Sequence, residues 1–149
     1  MPRSALLTDL YQLNMMAAYL EYGLTESAVF ELFVRKLPTS REFLIAAGVE
    51  QALQFLETVS FGPEDLDAVR ALGQFSESFI AYLRAFRFSG DVDAMPEGTV
   101  FFPDEPILRV TAPLPEAQFV ETRLVNLLHF QTVVASKAAR MALAAPANR

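Results

Sequence analysis

The longest regular pattern in the sequence is helical and runs from Pro115-Glu116 to about Ala145. Proline is favoured in the first turn of a helix, and Pro146 ends the pattern on the other side. Such a helix is much longer than the mean of ~11–12 residues. Because so long a helix usually connects layers or domains, we expect residues 114–149 to form a connecting helix that follows a separate unit, residues 1–113.

Shorter patterns fill the rest of the chain. Apolar residues at helical spacing predict helices, and alternating apolar and polar residues predict strands. The predicted helices lie between Asp9 and Gly23 and at 49–58, 63–72 and 76–86, and the predicted strands lie at 28–36, 43–46, 99–102 and 107–112. Turn residues around the last two strands predict a β-hairpin. The sequence therefore predicts an α+β fold in which short mixed strands are packed by helices.

The same patterns predict which side chains are buried. Asp9 and Gln12 have the spacing of a capping box, and strand 28–36 should be contacted on both faces. The first helix should bury the face that carries Leu6, Leu10, Leu13 and Ala17. Packed positions are also expected for His129 and for the pairs Phe86/Phe88 and Phe101/Phe102.

Composition excludes several classes of protein. Of the 149 residues, 52% are hydrophobic and 20% are charged, which is unlike a disordered chain. The net charge of −6 and the scattered basic residues argue against nucleic acid as a partner. The sequence has no cysteine and one histidine, so thiolate chemistry, Cys-ligated zinc and a His-based metal site are not expected.

No export or membrane signal is evident in the sequence. The first apolar run meets Thr8 and Asp9 too early for a signal peptide. The apolar stretch 124–143 contains polar residues such as Asn126, Lys137 and Arg140, which do not suit a membrane span. We therefore expect a cytoplasmic protein that has no membrane partner.

Four blocks of the sequence resemble the nicotinate phosphoribosyltransferase family, and they occur in the family's order. The first block is Leu7-Thr-Asp-Leu-Tyr-Gln-Leu-Asn-Met-Met16, and the second combines Phe30-Glu-Leu-Phe-Val-Arg-Lys36 with Ala46-Ala-Gly-Val49. The third combines Pro96-Glu-Gly98 with Pro106-Ile-Leu-Arg-Val110. The fourth is Glu121-Thr122 with Asn126, Phe130, Gln131, Thr132 and Ser136-Lys-Ala-Ala-Arg140. Together these blocks cover most of the chain.

The resemblance implies a fold and a reaction. The chain resembles the N-terminal domain of a type II phosphoribosyltransferase, whose long helix leads into an irregular (β/α) barrel that the 149 residues do not include. By resemblance, the full enzyme transfers ribose 5-phosphate from phosphoribosyl pyrophosphate to nicotinate, giving nicotinate mononucleotide and pyrophosphate in NAD salvage. This glycosyl transfer is coupled, in the manner of a ligase, to ATP hydrolysis, and Mg²⁺ accompanies the pyrophosphate.

The resemblance also implies what this chain does not supply. The family's phosphorylated histidine and phosphate-binding loop belong to the barrel, and His129 does not replace that histidine. We therefore expect no catalytic residue, no metal ligand and no bound cofactor on this chain, which should be inactive alone.

Three residues match substrate-binding positions of the family. Tyr11 matches a tyrosine that stacks on the pyridine ring from the neighbouring subunit, which implies a homodimer with a shared active site. Asp9 matches a carboxylate near the pyridine pocket, and Arg35 lies in the strand end where the family has a phosphate-contacting arginine of the partner subunit. From the residue pattern alone, Tyr11 is equally suited to the core, Asp9 to a helix N-cap and Arg35 to a solvated strand end.

Other interpretations stay open at this stage. The chain also suits a sibling enzyme that acts on nicotinamide or quinolinate, and it suits a truncated or split module that docks without catalysis. Lys137 and Arg140 share one helical face, where they serve either docking or ligand phosphates. The long helix should present an apolar stripe that the barrel or a partner subunit covers, so the chain alone should self-associate. The residues of this stripe are Phe119, Leu127, Phe130 and Val134.

Overall fold

The computed structural model describes residues 4–145. Its elements are, in chain order, α1 (Leu10–Glu21), β1 (Ser27–Phe33), β2 (Leu44–Ile45), α2 (Val49–Thr58), α3 (Pro63–Ala71), α4 (Glu77–Ala85), β3 (Asp91–Ala94), β4 (Val100–Phe101), β5 (Pro106–Pro113) and α5 (Leu114–Ala144). This arrangement confirms the predicted α+β fold with a long C-terminal helix. The division of the chain into 1–113 and 114–149 stays a prediction.

The strands form two small sheets. The first contains three strands in the order β1-β5-β3, so β5 lies in the centre, and the second pairs β2 with β4. Every described strand pair is antiparallel. The side of the three-stranded sheet that buries Leu108, Val110 and Ala112 faces the core beneath α5.

The predicted hairpin between β4 and β5 is wrong, because these two strands lie in different sheets. The connection between them contains Asp104, which has a φ of 66° and whose backbone N–H donates to the Val34 carbonyl oxygen at 2.9 Å. This turn sends the chain from β4 towards β1 instead of back along β4. Strand β3 was not predicted because it has only four residues, Asp-Val-Asp-Ala, and two of them are aspartates, which are depleted in strands.

Strand β1 ends earlier than predicted, at Phe33, next to an irregularity in its pairing with β5. Its residues alternate between half-buried and exposed positions. Phe30 and Leu32 pack against the core, whereas Val29 and Phe33 are exposed. The expectation that both faces are contacted is therefore wrong, because α5 and the core cover only one side of this edge strand.

The predicted buried face of the first helix is correct except at Leu10. Leu13 is buried and Leu6 and Ala17 pack against the core, whereas Leu10 is exposed. The other buried residues of α1 are Gln12 and Met16. The predicted capping box is also wrong: within the described chain, no side chain caps the first turn of α1, although Asp9 holds the N-cap position. Gln12 does not accept a hydrogen bond from the N-cap backbone N–H, because its side chain points inward and donates to Glu121 and Thr122 of α5. Gly23, with a φ of 67°, follows the helix as predicted.

Helices α2 to α4 contribute buried side chains to the same core. Their predicted bounds agree with the structure to within two residues, and Ser76 caps α4 by accepting a hydrogen bond from the Phe79 N–H. Phe61, Phe86 and Phe119 pack ring against ring, with centroids 5.1 to 5.7 Å apart. These rings connect the region of α2 to α4 with the first half of α5.

The predicted phenylalanine core is correct in part. Phe86 and Phe101 are buried, but Phe88 is half-buried and Phe102 is exposed. Phe101 and Phe102 are neighbours at the end of a strand, where successive side chains point to opposite faces. Only one of the two can therefore enter the core.

Helix α5 is buried along its first half and exposed along much of its second. Leu124, Leu127 and Leu128 form its buried stripe, so the next side chain, His129, faces outward and the prediction of a packed histidine is wrong. Phe119 and Leu127 are buried as well, so an exposed apolar stripe includes only Phe130 and Val134 of the four predicted residues.

Between residues 4 and 145 no helix is long and apolar enough to cross a membrane.

Candidate functional site

Tyr11 lies in the first turn of α1, against the first half of α5. Its hydroxyl accepts a hydrogen bond from Gln12 Nε2 at 2.7 Å and donates to Glu121 Oε2 at 3.4 Å. The residue nevertheless remains 47% exposed. Tyr11 is therefore not a core residue: its hydroxyl is tied to the protein while part of the ring faces outward.

Asp9 precedes α1 and lies beside the same turn of α5. Its Oδ2 atom accepts a hydrogen bond from the Thr122 hydroxyl at 3.3 Å, and the residue is exposed. Among residues 4–145 its carboxylate caps no backbone N–H of α1. Asp9 thus presents a carboxylate close to Tyr11 on the surface where α1 meets α5.

A polar cluster lies beneath these two residues, and sequence reasoning missed it. Gln12 and Gln118 are buried side chains on α1 and α5, and their amides are bonded to each other. Glu121 Oε2 accepts hydrogen bonds from Gln12 at 2.8 Å and from Gln118 at 3.2 Å. Tyr19 donates to Gln118 Oε1 at 3.3 Å. The available signal was a polar residue inside each apolar run, Gln12 before Leu13 and Gln118 before Phe119.

A groove of about 470 Å³ opens on the other side of Glu121. It lies between α5 on one side and β1 with the segment that follows it on the other. Apolar side chains form most of its walls, including Phe30, Leu32, Val120 and Leu124. Three cationic side chains lie along it, namely Arg35, Lys36 and Arg41. An apolar slot with cations along it is suited to a molecule that joins an apolar body to an anionic group.

Arg35 is exposed and lies two residues beyond the end of β1. Glu121 lines the groove that contains Arg35 and also bonds to Tyr11. The structure therefore joins Asp9 to Tyr11 through the side chains of Thr122 and Gln12. It relates Arg35 to Tyr11 through Glu121.

The second half of α5 carries the remaining candidate cations. Arg140 Nη1 lies 3.5 Å from the Phe43 carbonyl oxygen, which agrees with a docking role against the segment before β2. Lys137 is exposed. Within the part of the chain that the structure describes, no three His, Cys, Asp or Glu side chains are grouped closely enough to hold a metal ion.

Comparison with known proteins gives a consistent family. The model of the nicotinate phosphoribosyltransferase (NAPRTase) N-terminal domain matches residues 6–129. Nicotinate phosphoribosyltransferase pncB2 of Mycobacterium tuberculosis is 50% identical over 141 residues, which are 95% of this chain and 30% of that protein. Nicotinate phosphoribosyltransferase of Bacillus subtilis is 45% identical over 135 residues, which are 90% of this chain and 28% of that protein. The chain thus spans less than a third of the length of these relatives.

Solved structures agree with the sequence comparison. The crystal structure of human nicotinic acid phosphoribosyltransferase superposes with a TM-score of 0.84 at 36% identity, covering 93% of this chain and 28% of that one. Nicotinate-nucleotide pyrophosphorylase from Pyrococcus furiosus superposes with a TM-score of 0.61 at 22% identity, covering 83% of this chain and 24% of that one. This second likeness concerns the fold alone.

Proposed function

The chain belongs to the nicotinate phosphoribosyltransferase family, whose N-terminal domain it carries, and from this premise we propose that it forms the pyridine-binding side of such an enzyme. The complete enzyme transfers ribose 5-phosphate from phosphoribosyl pyrophosphate to nicotinate. The products are nicotinate mononucleotide and pyrophosphate, and the reaction serves NAD salvage in the cytoplasm.

The position of Tyr11 is the observation that carries this proposal. Its hydroxyl is tied to Gln12 and Glu121 while the residue stays 47% exposed. An exposed aromatic face can stack on the flat pyridine ring, which contributes about 0.5–1.5 kcal/mol beyond the burial of area. Glycosyl transfer requires an oriented ring nitrogen, so a fixed stacking face lowers the cost of alignment.

Asp9 and Arg35 complete the substrate contacts in this proposal. Asp9 provides a carboxylate at the edge of the pyridine pocket, beside Tyr11. Arg35 binds a phosphate group of the sugar substrate, for which the planar guanidinium is suited because it donates two parallel hydrogen bonds. Both side chains are exposed, so a second surface must approach them to close the site.

We propose that this second surface comes from another subunit of a homodimer. The N-terminal domain of one subunit then covers the barrel of its partner, and the barrel provides the groups that use ATP. In this proposal the Mg²⁺ that accompanies the pyrophosphate is held mainly by the phosphates of the substrate, as is usual for this ion.

Formation of nicotinate mononucleotide tests the proposal. The chain is assayed alone and together with a polypeptide that carries the remaining length of a family member. Product should form only with both parts, and nicotinate should be the substrate in preference to nicotinamide or quinolinate. ATP-dependent product from the chain alone would contradict the expected inactivity, and no product from any combination would favour a non-catalytic module.

Substitution of Tyr11 tests the site within that assay. Tyr11→Ala should raise the KM for nicotinate about tenfold or more, because both the stacking and the buried ring area are lost. The melting temperature should change little, since the residue is half-exposed. Tyr22→Ala is a matched control, because Tyr22 follows the same helix and is 77% exposed. An unchanged KM in Tyr11→Ala would remove Tyr11 from the pocket.

A further inference from the structure

We propose that Gln12 is a positioning residue for nicotinate binding: its buried side-chain amide fixes the orientation of Tyr11 and, through Thr122, the position of Asp9. This inference rests on the proposed function, because it gives Gln12 a role only through residues that contact the pyridine. The chemical class of the ligand is unchanged, and the inference concerns what holds its binding surface in place.

Gln12 is fully buried, and its amide contacts four polar partners. Nε2 lies 2.7 Å from the Tyr11 hydroxyl, 2.8 Å from Glu121 Oε2 and 2.9 Å from the Thr122 hydroxyl. Oε1 accepts a hydrogen bond from Gln118 Nε2. Both ends of the amide are therefore engaged in a site that water does not reach.

These contacts permit only one orientation of the amide. If the amide were reversed, its oxygen would face the Glu121 carboxylate, which is also an acceptor, and its nitrogen would face the Gln118 nitrogen, which is also a donor. Both new contacts would be repulsive. The two N–H groups of Gln12 are therefore shared among the Tyr11 hydroxyl, Glu121 Oε2 and the Thr122 hydroxyl.

The Tyr11 hydroxyl is restrained as a consequence. It accepts from Gln12 and donates to Glu121, so the two bonds fix the end of the side chain over α5. A tyrosine with its hydroxyl free would rotate about its side-chain bonds at the surface. A restrained ring loses less conformational entropy when a ligand stacks on it, which favours binding.

Asp9 is connected to the same amide by one intervening side chain. The Thr122 hydroxyl accepts from Gln12 at 2.9 Å and donates to Asp9 Oδ2 at 3.3 Å. A single buried group on α1 thus supports both exposed residues of the proposed pyridine pocket. A role limited to packing α1 against α5 would not require these two bonds.

The first test replaces Gln12 by methionine, which is similar in size and cannot donate a hydrogen bond. In the assembled enzyme, Gln12→Met should raise the KM for nicotinate about three- to tenfold, the range that the loss of stacking allows, while kcat changes less than about twofold. Tyr11→Phe should give a similar increase because it removes the same bond from the other side. Gln54→Met, on the exposed side of α2, is the control and should leave both constants unchanged.

The double variant distinguishes positioning from packing. If Gln12 acts on Tyr11 through its hydroxyl, Gln12→Met combined with Tyr11→Phe should raise the KM no further than Gln12→Met alone. Independent, multiplicative effects would overturn the proposal. A lower melting temperature with a normal KM in Gln12→Met would also overturn it, because that is the result of a purely structural role.

A rescue variant covers the case in which Gln12→Met fails to fold. Gln12→Glu alone places two carboxylates together and should raise the KM. Adding Glu121→Gln restores an amide–carboxylate pair from which the Tyr11 hydroxyl can again accept one bond and to which it can donate another, so the KM should fall again, although the bond from residue 12 to Thr122 is not restored. Failure of this rescue in a folded protein would count against the proposal.

A readout without catalysis is available on the 149-residue chain itself. Three-bond couplings between the Hα and Hβ atoms of Tyr11 should indicate one side-chain rotamer, and in Gln12→Met they should average towards the values of the exposed Tyr22. Equal averaging in both proteins would overturn the inference.

If Tyr11→Ala has a normal KM, the proposed function fails at Tyr11 and the positioning role fails with it. If Tyr11→Ala is impaired but Gln12→Met is not, only the inference fails.

Discussion

Glu97 caps helix α2 from a turn that lies almost 50 residues further along the chain. Its Oε1 atom accepts hydrogen bonds from the Gly48 N–H at 2.9 Å and from the Glu50 N–H at 3.1 Å. Gly48 holds the N-cap position and has no side chain of its own to accept these bonds. The carboxylate of Glu97 therefore satisfies two of the free donors of the first turn and also complements the helix dipole.

Glu97→Ala should therefore destabilise the protein by about 1–2 kcal/mol, the usual cost of losing a helix cap. For a chain of this size that corresponds to a fall in melting temperature of roughly 2–8 °C. Glu57→Ala is the matched control, because Glu57 is an exposed residue near the other end of α2 and should be neutral or slightly stabilising. Equal melting temperatures for the two variants would contradict the capping role.

Tyr82 gives the protein a dependence on alkaline pH. Burial of its ring and, second, the nearby charge of Glu116 raise the pKa of Tyr82 from 10.0 to about 12. Between these two values the unfolded chain loses the phenolic proton while the folded chain keeps it. The free energy of unfolding should therefore be unaffected below about pH 10 and should fall as the pH rises towards 12.

A group that releases one full proton on unfolding lowers the unfolding free energy by ~1.4 kcal/mol per pH unit. The decrease due to Tyr82 should be smaller, because the residue is half-buried and solvent screens part of the effect. Tyr82→Phe removes the titrating group, so its unfolding free energy should decline less steeply over this range. Denaturant unfolding at pH 9 and pH 11 measures the difference. Identical slopes for the two proteins would show that Tyr82 ionises equally in both states.

At the scale of single residues, the sequence predicted the exposed candidates for substrate binding. It did not predict the buried side chains that are hydrogen-bonded to them. Tyr11 and Asp9 were found from a short run of residues that resembles a family block. Their partners on α5 are more than a hundred positions away, as the bonds from Gln12 to Glu121 and Thr122 show. Such partners depend on how two helices pack, and local periodicity contains no information about that packing.

At the scale of secondary-structure elements, strand β5 is in close contact with the segment before β3 at Gly90. A Cβ atom added at Gly90 would lie 2.5 Å from both the Thr111 carbonyl oxygen and the Ala112 Cβ, and 2.9 Å from the Phe88 ring. Backbone and a packed ring cannot all move away. Gly90 therefore permits the chain before β3 to lie directly against the centre of the sheet.

Gly90→Ala should consequently cost about 3 kcal/mol or more, at the upper end of what overpacking causes. Gly23→Ala is the comparison: Gly23 has a φ of 67° but nothing within 4 Å of an added Cβ, so only the backbone strain of about 1–2 kcal/mol applies. Urea unfolding of both variants should give the larger loss for Gly90→Ala. The reverse order would show that β3 can move away from β5.

Helices were predicted far better than strand pairing, and the reason is physical. The bounds of α2 and α4 follow from periodicity and caps within about ten residues, and Ser76 caps α4 as predicted. Strand partners are instead set by contacts distant in sequence, such as Phe30 opposite Val110. The turn residues before β5 correctly predicted that the chain turns between β4 and β5. The direction of the chain after this turn depends on the positive φ of Asp104, which the sequence pattern did not indicate.

On the scale of the whole molecule, α5 joins the two halves of the candidate site. One side of its first half carries Gln118, Glu121 and Thr122 towards α1, and a neighbouring side carries Val120 and Leu124 into the groove. The length of this helix was predictable from sequence. That one carboxylate, Glu121, reaches both surfaces was not, because it depends on the angle at which α1 crosses α5.

The second half of α5 leaves an apolar surface uncovered. Phe130, Val134 and Met141 are 70%, 52% and 64% exposed and recur at a spacing that places them on one face of the helix. Exposed Lys137 lies between Val134 and Met141 on this face. Isolated exposed apolar residues are normal in a folded protein, but several of them grouped on one face favour association. We therefore expect the 149-residue chain alone to self-associate at tens of micromolar through this face.

Phe130→Glu should shift the chain towards the monomer, because it replaces the most exposed apolar side chain of this face by a charge, and an association that buries the face would then have to desolvate a carboxylate. Leu72→Glu is the control, since Leu72 is an exposed apolar residue at the end of α3, away from α5. Sedimentation equilibrium should show a weaker association for Phe130→Glu and no change for Leu72→Glu. A monomer in the unmodified chain at these concentrations would contradict the prediction, and an equal effect of the two variants would place the contact elsewhere, with added negative charge as the common cause.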